Sequence, residues 1–254
     1  MIKRINHLWR LFATAMAFSL FGLGGALVPV LAVPMLYLFW RERSARQRAA
    51  RRLVRHLFKG FIHFMRSVGI LTWQVDGVER LRQSNAMILA NHPTLLDVVF
   101  LVAFVPNADC IVKGKLDRNP AMRGFIRLTG YITNKDGVEL VDKSAAALAK
   151  GGHLIIFPEG TRTPESGEFR FQRGAANILL RTMAVPVPVV IKCSPPTLSK
   201  EKKWYHIPPR KFHMSFKVLP PFDTSEYKMD KTTIAARRLT SRLEQLFCEE
   251  MTTS

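Results

Sequence analysis

Residues 86–105 read "AMILANHPTLLDVVFLVAFV", and the reading of these twenty positions decides the fold. Ala86–Ala90 is a short, wholly apolar run of the kind that forms a buried strand. Residues 94–105 form a second apolar run, long enough for a helix. Between them lie Asn91, His92 and Pro93, with Asp97 a few residues later. A strand running through a tight loop into a buried helix is a unit of an α/β fold. Pro93 suits the first position of such a helix. Asp97 then falls in or just after the first turn, where it can fold back toward His92.

The same alternation continues outward. Strands are expected at 71–77, 109–114, 131–133, 153–158, 185–191 and 211–221. Helices are expected at 119–130, 138–151, 173–183 and 229–247. The expected fold is α/β, a mixed, mostly parallel sheet flanked by helices. Loops at the carboxyl ends of such strands carry function. Two of them are rich in chemistry, "NHPTLLD" (91–97) and "FPEGTR" (157–162).

The N-terminus differs in character. Leu11 to Trp40 contains no charged residue, whereas a bilayer-crossing helix needs about 20 apolar residues. Lys3, Arg4 and Arg10 precede it, and a dense series of arginines follows Trp40. Trp9 and Trp40 mark its ends, as amphipathic rings do at a membrane interface. The segment is too long for a usual secretory signal core. It either spans once or enters and leaves one leaflet, bending near Gly22–Gly25 and Pro29. The arginine-rich flank places the rest of the chain on the cytoplasmic face of the inner membrane. Residues 44–70 repeat apolar positions at helical spacing (Leu53, Leu57, Phe61, Met65, Val68), with Arg51, Arg52, Arg55 and Lys59 between them. That pattern suits a helix on an anionic bilayer surface, or a core-facing helix with a solvated basic face. The expected organisation is a membrane segment at 1–43, an interfacial helix at 44–70 and an α/β domain at 71–254.

The formal net charge is +19. Residues 1–60 hold eleven Lys/Arg against Glu42, supplying +10 of it. No zinc-finger spacing, aromatic ribonucleoprotein pattern or basic zipper accompanies that charge, so nucleic acid is not the expected partner. Three scattered cysteines exclude a disulfide scaffold. The histidines outside the loop show no metal-ligand spacing, and no metal is expected.

A carboxylate on one imidazole nitrogen fixes the tautomer and leaves the other nitrogen as a base. No G-x-S-x-G nucleophile is present, so His92 would deprotonate a substrate hydroxyl directly, with Asp97 supporting the imidazolium. A cap at a helix start explains the same residues without chemistry. In "FPEGTR", Glu159 can hold a hydroxyl or brace the loop. Gly160 admits close backbone approach, Thr161 offers a hydroxyl, and Arg162 suits a phosphate or carboxylate.

"NHPTLLD" and "FPEGTR", together with "FRFQRGAAN" (169–177) and "VPVPVVI" (185–191), resemble in order and spacing the glycerolipid acyltransferase family related to lysophosphatidic acid acyltransferase. The resemblance covers about residues 70–220. It implies transfer of a fatty acyl group from acyl-CoA or acyl-acyl carrier protein to a lipid hydroxyl at a membrane, with no further cofactor. It implies His92 as base, Asp97 as its partner and Glu159–Arg162 in acceptor binding, with membrane lipids as partners. The family's G-x-x-F-I-x-R block reads Gly130-Tyr131-Ile132-Thr133-Asn134-Lys135-Asp136 here, so the arginine position holds Asp136. Lys135 stands one residue early as a substitute cation. The acceptor expected is 1-acylglycerol-3-phosphate. The alternatives are a lyso-ornithine or aryl polyene-type lipid, or a lipid-binding protein without catalysis.

Overall fold

A computed structural model describes residues 2–134, 137–182, 184–229 and 232–252. In chain order the elements are α1 (Ile2–Phe39), α2 (Arg43–Ser67), β1 (Leu71–Asp76), β2 (Ala86–Ala90), α3 (Asp97–Phe104), β3 (Ala108–Lys113) and α4 (Pro120–Thr129). They continue with β4 (Ile132–Asn134), α5 (Gly137–Ala149), β5 (His153–Ile156), α6 (Gly174–Arg181), β6 (Val185–Ser194), β7 (Phe212–Val218) and α7 (Thr232–Thr252).

The strands form one sheet in the order β1-β7-β6-β2-β5-β3-β4. Every neighbouring pair is parallel except β6 and β7. This is the mixed, mostly parallel sheet that the alternation implied. The central strand β2 is buried at every position, because helices cover both faces. Its side chains divide by parity: Ala86, Ile88 and Ala90 join one core and Met87 and Leu89 the other. The first core also contains residues of α1–α4, and the second contains residues of α5–α7.

The expected helix at 94–105 begins later, at Asp97. Thr94 and Asp97 explain the delay. Thr94 Oγ1 accepts the Leu96 N–H at 2.9 Å, and Asp97 Oδ2 accepts the Thr94 N–H at 2.8 Å. These bonds hold 94–96 as a turn ahead of the helix, whose N-cap position is Leu96. They leave Pro93 in the loop instead of at the first helical position.

Helix α1 runs as one helix through Gly22–Gly25, Pro29 and Pro34. Trp9 Nε1 donates to Val68 O at 3.0 Å, beside the end of α2. Phe21 stacks on Phe58 and meets Phe61, both on α2. Pro29 lies so close to α4 that a Cβ on Gly124 would sit 2.5 Å from its Cγ. Farther on, Ala32 and Leu36 bury against Ala50 and Leu128. One face of α1 is therefore docked along most of its length. The opposite face leaves Leu20, Leu23, Leu27, Val30, Leu31 and Leu38 exposed.

Helix α2 turns Ala50, Val54, Ile62 and Met65 into the core, a face shifted from the one the spacing suggested. Two of its arginines also point inward, not to a solvated face. Arg55 donates to Ala103 O and Phe104 O, closing the carboxyl end of α3. Arg51 donates to Thr129 O at the end of α4 and pairs with Asp109 at 2.7 Å.

Burial pushes the Asp109 carboxyl up from 3.8 to about 6, and the Arg51 charge offsets this only in part. Arg51→Ala strands a buried carboxylate and is expected to cost about 3–5 kcal/mol, read from thermal unfolding in detergent. The native state holds the Asp109 proton more tightly than the unfolded chain does. Its contribution to stability is therefore full below the unfolded value of 3.8 and is lost as pH rises through about 6. Asp109→Asn should remove that component from the unfolding midpoint measured between these pH values.

Candidate active site

The end of β2 is locked before any chemistry is arranged. The Asn91 side chain bonds both polar groups of Ile191 on β6: Nδ2 to the carbonyl at 2.8 Å, and Oδ1 from the N–H at 2.7 Å. This bridge holds the backbone that carries His92.

His92 leaves β2 into the loop, and its ring turns back toward α3. Nδ1 lies 2.9 Å from Asp97 Oδ2, the same oxygen that accepts the Thr94 N–H. Asp97 is fully buried, whereas the His92 side chain is 16% exposed. The base side of the pair thus faces out and the acid side faces in. With Nδ1–H on the carboxylate, Nε2 is the free nitrogen. Burial pushes the Asp97 carboxyl above its ordinary value, and the bonds from His92 and Thr94 pull against that shift. Asp97 Oδ1 is buried without a hydrogen-bond partner. Phe157, at the end of β5, stacks on the imidazole with centroids 4.3 Å apart and fixes its plane.

Glu159 is 5% exposed and braces two loops. Its Oε1 accepts from the His92 N–H at 3.0 Å and from Thr163 Oγ1 at 2.6 Å. Thr163 N–H returns a bond to His92 O at 2.8 Å. Of the two roles open to Glu159, holding a hydroxyl or bracing the loop, this geometry describes the brace. Burial pushes its carboxyl up as well, against the Thr163 and His92 bonds. Gly160 has φ +64°, a left-handed turn that swings the following backbone toward the cavity. Thr161 and Arg162 both line that cavity.

Arg162 is half-buried. Its Nη1 donates to Leu198 O at 2.8 Å and Ser199 O at 2.6 Å. Leu198 O also accepts the Leu95 N–H at 3.2 Å. The segment between β6 and β7 is thereby tied to both motif loops and roofs the site. Arg162 hydrogen-bonds through Nη1 alone among the described residues, which leaves Nε and Nη2 for a ligand. Lys135, the remaining candidate, lies outside the described residues, as does Asp136.

Sequence reasoning missed Asn91, Thr94, Phe157 and Thr163. Thr94-x-x-Asp97 is a legible capping signature, and Phe157 stood inside a quoted motif. Asn91 too stood inside a motif, but its partner Ile191 lies 100 residues away, and the bonds of Thr163 to His92 are equally invisible to a local pattern.

A cavity of 850 Å³ opens from His92. On one side its wall is apolar, with Phe18 and Phe21 of α1, Phe58 and Phe61 of α2, Val99 of α3 and Val112 of β3. The volume and lining suit a long hydrocarbon chain with one reactive end. Cys110 also lines it. Burial pushes that thiol up to about 12, so it stays protonated and inert at neutral pH.

Comparison with known proteins bears on the family and the fold. Residues 72–192, which carry both motif loops, match the sequence model of the family described as Acyltransferase. The 1-acyl-sn-glycerol-3-phosphate acyltransferase of Saccharomyces cerevisiae is 26% identical over 180 residues, covering 67% of this chain and 58% of that one. The Helicobacter pylori enzyme of the same name is 33% identical over 112 residues, covering 41% and 47%. The chain therefore spans about half the length of the relatives it matches. Among solved structures, the 1-acyl-sn-glycerophosphate acyltransferase of Thermotoga maritima superimposes with a TM-score of 0.70 at 19% identity, over 99% of this chain and 98% of that one. At that identity the likeness speaks for the fold.

The brace role of Glu159 makes a prediction. Glu159→Ala removes the shared acceptor and should cost about 1–3 kcal/mol in thermal unfolding. Glu159→Gln keeps an acceptor oxygen in place and should retain wild-type stability. Equal loss of activity in both variants with unchanged stability would instead put Glu159 on a substrate.

Proposed function

We propose that this chain is a membrane-bound O-acyltransferase of the glycerolipid acyltransferase family, a reading supported by the family-model match and the relatives. It moves a fatty acyl group from an acyl-CoA or acyl-acyl carrier protein thioester to the free hydroxyl of a single-chain, anionic lipid, with 1-acylglycerol-3-phosphate as the leading acceptor. The observation that carries the reading is the His92–Asp97 pair opening into a cavity with an apolar wall.

The chemistry follows from the two ends of the pair. The acceptor hydroxyl gives its proton to His92 Nε2 as its oxygen attacks the thioester carbonyl. The imidazolium that forms is stabilised by Asp97, which keeps Nδ1–H directed at Oδ2. Collapse of the tetrahedral intermediate breaks the C–S bond, and the imidazolium returns its proton to the departing thiolate. The products are an ester and a free thiol. Phe157 holds the ring in plane throughout, and the Asn91 bridge keeps the backbone of His92 from relaxing away from the acceptor.

The disposition of α1 supports action within one leaflet. A helix of 38 residues rises about 57 Å, nearly twice the hydrocarbon thickness of roughly 30 Å. Its inner face is docked along the domain, so standing α1 upright would carry the sheet into the lipid. Lying flat buries its exposed leucines in the acyl region and brings the cavity wall to the lipid surface. The acceptor then enters sideways, and the catalytic domain remains on the cytoplasmic face.

His92→Ala should lower acyl transfer by at least about a thousand-fold in an assay of released thiol, with flotation on liposomes unchanged. Asp97→Asn leaves the shape but mis-sets the tautomer, and should lower kcat by about 10²–10⁴ with little change in KM. Turnover retained in His92→Ala would refute the base assignment.

A further inference from the structure

Arg10 sits at the threshold of the uncharged part of α1, on the face that docks against the domain. It is 7% exposed, whereas Arg4 is exposed. A buried guanidinium is costly unless an anion or several acceptors meet it. Among the described residues, its hydrogen bonding is limited to Nε donating to Asn6 O at 3.3 Å, on its own helix. No carboxylate among them pairs with it. The side chain instead lines the cavity that opens from His92.

That cavity is one-sided in charge. Its described lining includes Arg10, Lys113, Arg162, Lys200 and Arg210, and no aspartate or glutamate. Arg10 and Arg210 approach it from segments that meet. Trp9 is bonded to Val68 at the end of α2, and Ile70 O accepts the Phe212 N–H at 3.2 Å, two residues after Arg210. β7 starts opposite the end of β6, with Ser194 facing His213, and β6 runs parallel to β2. Arg10 and Arg210 therefore reach the cavity at the sheet edge that carries His92, on the β7 side. The arginine position of the related block holds Asp136 in this chain.

We propose that Arg10 and Arg210 form an oxyanion subsite for the headgroup of the acyl acceptor. The inference rests on the acyltransferase reading. The ligand class is a phosphate or carboxylate carried on a single-chain lipid. Such a lipid slides in along α1, leaves its chain among the phenylalanines of the wall, and is stopped by a guanidinium that has no other anion. A planar guanidinium can take two oxyanion oxygens at once, which a lysine cannot. The membrane helix thereby becomes a specificity element as well as an anchor.

The test measures binding to the full chain in uncharged detergent micelles, with lysophosphatidic acid, monoacylglycerol and CoA as separate probes. Arg10→Ala should weaken lysophosphatidic acid binding about ten-fold or more and leave monoacylglycerol and CoA unchanged. Arg10→Lys should recover part of the loss. Arg210→Ala, at an exposed position that carries little folding risk, should act in the same direction. In turnover, the KM for the charged acceptor should rise in these variants while kcat holds. Equal losses for charged and uncharged lipid, loss confined to CoA, or unchanged binding in both alanine variants overturns the subsite. A wild-type protein with no preference for the charged lipid does so too. Arg10-dependent binding without acyl transfer from either donor would keep the subsite and defeat the acyltransferase reading. Acyl transfer with a KM indifferent to Arg10 and Arg210 would do the reverse.

Discussion

The structure around the site depends on one buried oxygen. Asp97 Oδ2 takes the Thr94 N–H and the His92 Nδ1–H together. The first bond holds the turn before α3, and the second orients the imidazole. Neither can be altered alone, because the carboxylate has no solvent to replace a lost partner. A helix cap and a catalytic pair are usually competing explanations of the same sequence. Here one carboxylate holds both the turn before α3 and the imidazole, and the loop between β2 and α3 has no slack in which to separate the two contacts.

The rest of that sheet edge transmits the constraint outward. Asn91 fastens the loop to β6, and Glu159 with Thr163 fastens it to the loop after β5. Arg162 fastens that second loop to the segment between β6 and β7. The ties of Asn91, Glu159 and Arg162 each run from a side chain to the backbone of another segment. The imidazole is therefore positioned by three chain segments that lie far apart in sequence, and its placement depends on completion of the central sheet.

That architecture explains what the sequence made legible. β2 was readable residue by residue because burial on both faces leaves an uninterrupted apolar run. The alternation of strands and helices was readable for the same reason, whereas the spacing of His92 and Asp97 suited a helix cap as well as a pair, and the resemblance of the motifs favoured the pair. The direction of β7 was not, since its side-chain pattern is the same in either orientation. The start of α3 was misplaced because Pro93 signals a first turn more loudly than Thr94-x-x-Asp97 does. Arg51 and Arg55 were placed on a solvated face because a helical pattern separates polar from apolar positions. It cannot show that the carboxyl ends of α3 and α4 and the Asp109 carboxylate lie within their reach. Glu159 reads as chemistry in a motif and as a brace in three dimensions, since only the fold brings the His92 N–H to it.

The close fit of Pro29 on Gly124 joins residues 95 positions apart. During synthesis α1 leaves the ribosome well before α4 exists to receive it. In that interval its inner face, with Ala13, Ala17, Ala32 and Leu36, is as bare as its outer face, and lipid is the apolar phase at hand. The nascent chain is thus expected to meet the membrane with α1 alone and to assemble the sheet afterwards against a helix already held there. On the proposed membrane reading, the bilayer would act first as a template on which the domain is built, and only later as the place where it works.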